Sequence, residues 1–360
     1  MRIAQRFASS LFLGAAALAL SAVAVGQGTP PSFQLLTTIT VPGGLGGYDI
    51  NWIDPGTQRY YLADRTATKG TGRIDVVDTD TMKFLYSIPS TPNEIAFSGT
   101  VPSKTPGCSL SGPNGVVAVP QMRQLYVGDG DSTVKVVDLD ARAVVAIIHT
   151  GGNCRADELA YDPLDHIVAI ANDQDSPPFV TFISTDTQTV LGRYTYPASQ
   201  VGFGLEQPAW DAKAKRFYIS VPASTNSAGS VDVINPITMT VEKSLQTQCS
   251  PAGLVLTPSQ HLITSCGQVF DAASGNSLGV TLGVAGDQIW YNPGDNNTYF
   301  GFFVGTFGPT VGVGVSVVDA NTNQFLTAIP ASTHSLAVDP NNNRIFVPVS
   351  GKGIQVYAQQ

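Results

Sequence analysis

The chain has 360 residues, only 13% of them charged, and a formal net charge of −8 at pH 7. So sparse and acidic a charge set excludes a Lys/Arg-built surface for nucleic acid or anionic lipid. The 36 Gly and 24 Pro point to many tight turns, and the Val, Thr and aromatic residues between them favour strands over helices.

In chain order, the first feature is an export signal over residues 1–24. Arg2 and Arg6 supply the basic start, Leu11 to Leu20 the apolar stretch, and Ala22, Val23 and Ala24 a small-residue cleavage site. The apolar run is shorter than the ~20 residues a spanning helix needs, so no membrane anchor is expected once the signal is removed. The mature protein is expected to be periplasmic or secreted and monomeric. Its four cysteines, Cys108, Cys154, Cys249 and Cys266, fit a disulfide framework in an oxidising compartment. No CxxC or CxxCH occurs, so neither thiol redox chemistry nor covalent haem is expected.

From residue 25 to 360 a single domain is expected, because one pattern recurs throughout. A strand ending in an Asp-Pro-like turn is found at Asn51 to Pro55, Leu159 to Pro163 and Leu336 to Pro340. Variants run from Val117 to Pro120, Ala209 to Ala212, Val255 to Pro258 and Trp290 to Pro293. The first two copies lie 65 residues apart and the rest 35 to 49, which suits the ~40–45 residues of a four-stranded propeller blade. The wide first gap marks an insertion over 89–113, expected on one rim as a lid, a partner surface or a plain excursion. After each turn comes a second strand such as Gln124 to Val127, a third ending near Val-Asp such as Val134 to Asp138, and a fourth such as Val144 to Ile148. The seventh copy stops one strand short, and residues 33–41 can supply that strand from the other end. The expected fold is therefore an all-β, seven-bladed propeller of four-stranded blades, closed by its N-terminal strand.

The stretch from Leu125 to Asp129, then Thr133 to Asp138 and Val144 to Ile147, resembles the YVTN repeat of seven-bladed bacterial propellers. More loosely, the architecture is similar to the lactonase propellers of regucalcin and gluconolactonase type.

Five positions before the turn Asp, where each innermost strand begins, stand Asp49, Asn114, Asp157, Glu206, Ala252, Asp287 and His334. Innermost strands line a propeller's channel, so these residues are expected to ring one mouth, with Glu158, Gln207 and Gln288 one place further on. Such oxygen-rich groups suit one Ca²⁺, and His334 with carboxylates would suit Zn²⁺. A solvated channel without any ligand is the plainer expectation for the same residues. The loops at Asp129–Asp131 and Asn172–Asp173 are placed at the same rim, where acidic turns are usually solvated. Cys108 and Cys154 each precede the innermost strand of consecutive blades, and Cys249 and Cys266 flank one hairpin, which favours those two pairings. The Gly-rich run 43–47 opens no helix, so no nucleotide site is expected.

The lactonase resemblance implies a divalent metal held by Glu, Asn and Asp, for which Asn114, Glu206 and Asp287 match in type, with Asp49 and Asp157 as further candidates. On that reading the metal polarises a lactone carbonyl or activates water, and a carboxylate acts as base. The other reading is a binding module that presents its rim to a protein, glycan or small ligand.

Overall fold

The computed structural model describes residues 30–360 apart from 92–93, 198–200, 202–203, 225–227, 283 and 303–313, so the export signal lies outside the described residues. Seven four-stranded antiparallel sheets follow one another along the chain, each running from an innermost to an outermost strand. The innermost strands are Tyr48–Asp54, Val116–Val119, Leu159–Asp162, Pro208–Asp211, Leu254–Leu256, Ile289–Asn292 and Ala337–Asp339. Each contacts the next, and that of blade 7 contacts that of blade 1, so the seven sheets form a closed ring.

The turn chemistry explains the repeat. In Asp54, Asp162, Asp211 and Asp339 the carboxyl accepts the backbone N–H two residues on, at 2.8–3.0 Å, and Asn292 does the same at 3.2 Å. This side-chain mimic of a turn is what Asp and Asn do best. The residue just before each second strand then takes a left-handed conformation: Gln58, Arg123, His166, Lys215, Gln260, Asn296 and Asn343 all have φ between 54° and 64°. The Asp closing the third strand works alike, as Asp78 and Asp138 accept the N–H of Thr81 and Ala141 at 2.7 Å.

Burial follows position in the blade. The third strand Thr133–Asp138 is buried at all but its last residue, because both its faces meet neighbouring blades. The outermost strand Ala143–His149 alternates, since its sheet edge faces solvent. Between third and outermost strands the register slips at Val76/Val77, Val136/Val137, Phe182/Ile183, Val233/Ile234 and Val317/Val318. A bulge repeated at one place adds the local twist that a blade needs.

The closing strand is Phe33–Ile39, two residues shorter than the sequence suggests, and it pairs antiparallel with Gly353–Gln359 from Phe33 opposite Gln359 to Ile39 opposite Ile354. Gly353 has φ +114°, and a Cβ there would collide with the Ile39 carbonyl, so this tight junction requires glycine. Both disulfides form as expected, Cys108–Cys154 and Cys249–Cys266. The insertion is no loose excursion: Phe97 is buried between blades 1 and 2, and isolated bridges join Gly72 to Phe97 and Gly99 to Gly112. Among the described residues no helix is long and apolar enough to cross a membrane.

Candidate functional site

All seven innermost strands start at the same end of the ring, so the residues at their starts meet around one mouth. Two arginines that the repeat offset did not single out organise it. Arg65, on the loop after the second strand of blade 1, pairs with Asp49 and donates to Asn114 Oδ1 from Nε at 3.1 Å and Nη2 at 2.6 Å. Arg155, on the linker into blade 3, reaches Asp157 at 2.5 Å, Asp173 at 2.9 Å and Asp49 at 3.8 Å. His334 Nε2 lies 3.2 Å from Asp49 Oδ1, and its ring stacks on Tyr48 with centroids 4.9 Å apart. Tyr48 in turn shares a 3.1 Å hydrogen bond with Thr333.

The electrostatics divide this mouth in two. Burial alone would raise the pKa of Asp49, but the Arg65 guanidinium and the His334 hydrogen bond outweigh it and hold the carboxyl well below its ordinary value. On the other side stand Glu158, Glu206 and Asp287, whose carboxyls have no hydrogen bond or ion pair among the described residues. Burial pushes Glu158 and Glu206 well above the usual carboxyl range, and repulsion adds to it: Glu206, Asp157 and Asp287 act on Glu158, and Asp287 and Asp157 on Glu206. Asp287 is raised by burial too, with His334 opposing. Six carboxyls thus face two guanidiniums and one imidazole, and the surplus favours a cation or a retained proton.

Asn114, matched in type to a metal ligand, turns its oxygen to Arg65 and its amide to the Ala156 carbonyl at 2.9 Å. That oxygen is thereby committed to a cation the chain already carries. Among the described residues no three His, Cys, Asp or Glu side chains are grouped as a metal ion would need.

The expected rim residues separate. Asp173 joins the mouth through Arg155, whereas Asp129 pairs with Lys135 and accepts Ser98 Oγ at 3.0 Å, which pins the insertion to blade 2. Asn172 bridges Thr150, at the end of blade 2, at 2.8 Å and Thr181 of blade 3 at 3.0 Å. These three are buried rather than solvated; Asp131, half-exposed and bonded to Thr133 and Lys135, is the one that matches the solvated-turn expectation. The insertion stands at this rim as well, tied by its Cys108 disulfide and by the Arg155 N–H, which donates to the Ser109 carbonyl at 3.0 Å.

Arg65 and Arg155 sit at no fixed offset from the turn, which is why the repeat frame passes over them. Their signal was scarcity: with 19 Lys and Arg in the whole chain, a guanidinium two residues before Asp157 is informative.

These features define a seven-bladed β-propeller with a charged, side-chain-filled channel mouth. Neither a family model nor a curated protein matches the sequence. Many solved structures share the fold. One is a chain in the crystal structure of a mitotic checkpoint complex, similar over 98% of each chain with a TM-score of 0.61 at 12% identity. At that identity the likeness shows the propeller fold alone, which hosts many functions.

Proposed function

We propose that the protein is a periplasmic or secreted binding module whose charged mouth takes a cationic group, a lysine or arginine side chain or an amine, from a protein or small ligand. One observation carries this reading: Glu206 and Asp287 face the mouth with no hydrogen bond or ion pair among the described residues, while Asp49, Asp157 and Asp173 are each held by a guanidinium. The propeller supplies a rigid ring, and rigid presentation lowers the ordering cost of binding. Two disulfides fit an oxidising compartment and support the exported location.

A metal-dependent hydrolase of lactonase type is the second reading, and the same unpaired carboxyls favour it, with Ca²⁺ or Zn²⁺ as the occupant. The commitment of Asn114 to Arg65 weighs for the binding module. The experiment is titration with a labelled trilysine peptide, read by fluorescence anisotropy, on the wild type and on Glu206→Gln combined with Asp287→Asn. The expected loss is about tenfold, or ~1.4 kcal/mol; equal affinities would overturn the reading. Elemental analysis of the same samples separates the two: one tightly held metal, absent from the double variant, selects the hydrolase.

A further inference from the structure

The opposite end of the channel has a different chemistry. A cavity of about 570 Å³ runs along the innermost strands of blades 1 to 6 and opens among their Asp-Pro turns. Its size lies in the ~300–1,000 Å³ range of small-molecule sites. Trp52, Trp210 and Trp290, the 3 tryptophans of the chain, all line it, with Tyr161 and Tyr291 towards its outer end. Trp52 and Trp290 meet edge to face with centroids 5.3 Å apart, and Trp210 is braced by Phe217 at 4.8 Å. The rings are therefore held in place by packing rather than collapsed into the space.

At the inner end the lining turns polar, with Glu158, Gln207 and Gln288. Both amides are in use: Gln207 Oε1 accepts the Leu254 N–H at 3.1 Å, and Gln288 Oε1 accepts Ser335 Oγ at 2.5 Å. Glu158 is different. It is 5% exposed, and its carboxyl has no hydrogen-bond or ion-pair partner among the described residues. A chain that spends its tryptophans on an open apolar space and leaves one carboxyl unanswered at its floor has the two halves of an amphiphile site.

We propose that this cavity binds a hydrophobic amine, its aromatic or alkyl body among the tryptophans and its ammonium group on Glu158. Burial among the tryptophans favours the apolar body of the ligand, and aromatic faces attract a cation as well. Burial and its acidic neighbours favour a proton on Glu158, which is released to solvent when an ammonium pairs with the carboxylate; a neutral ligand of the same shape makes no such ion pair, and an anionic one adds to the negative charge around it. The walls of this site are strand interiors rather than the arginine network, and Glu158 is the group it shares with the mouth.

Because every tryptophan lines the cavity, intrinsic fluorescence reads it directly. Phenethylammonium, 2-phenylethanol and 3-phenylpropionate would be titrated into the full-length mature protein. The expected result is a saturable change with the amine, about tenfold tighter than with the alcohol (~1.4 kcal/mol), and none with the carboxylate. Glu158→Gln should bring the amine down to the level of the alcohol and leave the alcohol unaffected. Equal affinity of amine and alcohol for the wild type would overturn the proposal, as would the absence of any saturable response or an amine preference that survives Glu158→Gln. The ligand series on the unaltered protein decides the matter even if the variant does not fold.

Discussion

Asp75, in the third strand of blade 1, shows how burial sets charge in this molecule. One carboxyl oxygen accepts Ser87 Oγ at 2.6 Å and lies 3.1 Å from Arg73, while the other is buried without a partner. Arg73 is shared with Asp64, at 2.8 Å. Desolvation, with the nearby Asp64 charge adding to it, pushes the Asp75 pKa up to about 8 from 3.8. Between those values the folded state holds a proton that the unfolded chain releases. Its contribution to stability is thus fully present below about pH 4 and is lost as pH rises through about 8. Asp75→Asn should flatten that decline, and urea unfolding across pH 4–9 would show the variant gaining on the wild type by the order of a few kcal/mol. Parallel curves would assign the slope to another group. The same balance governs the mouth, where the repeat offset brought Asp49, Asn114, Asp157, Glu206, Asp287 and His334 to one end because equivalent repeats place equivalent backbone positions. What the offset did not convey is which carboxyls are answered, since long flexible side chains such as Arg65 and Arg155 choose partners only in three dimensions.

Among elements, the hairpins were the most legible, because their signal is local. Asp-Pro and Val-Asp each mark a side-chain-capped turn, and a capped turn fixes the register of the strands on either side. The tryptophan cavity was illegible for the opposite reason. Trp52, Trp210 and Trp290 stand one or two residues before their turns, as ordinary strand residues do, and only the packing of six blades pools them. The insertion joins local and distant chemistry: Phe97 is buried, Asp129 holds Ser98, and Cys108 is bonded to Cys154. The two disulfides span 46 and 17 residues, and the chain-entropy model makes the longer one worth about 1 kcal/mol more. Cys108→Ser with Cys154→Ser should therefore lower the urea midpoint more than Cys249→Ser with Cys266→Ser. It should also expose the insertion to limited proteolysis; a smaller shift with the insertion still protected would mean that Phe97 and Asp129 suffice to hold it.

At the scale of the whole molecule, the ring depends on its last sheet. Gly353–Gln359 would be an open edge without Phe33–Ile39, and unpaired edges invite association. Deleting residues 30–41 is expected to lower the melting temperature by at least about 10 °C, judged against the ~2–4 °C per kcal/mol typical of larger domains. The truncated protein should also associate in sedimentation. A monomer with unchanged melting would show that the remaining three strands close the ring unaided.

That seam also sets an order of events. Ser32 and Gln360 are hydrogen-bonded neighbours although 328 residues separate them, so closing that loop in an unfolded chain costs about 5 kcal/mol, most of which the intervening blades absorb once they have formed. The first strand has no partner until Gly353–Gln359 is available, with Leu35 and Leu36 in the waiting segment. Until then the blades form an arc with two live ends, which any passing strand of the right pattern can cap. The interval before Gly353–Gln359 pairs with Phe33–Ile39 is thus the one in which both ends of the arc stay open to a foreign strand.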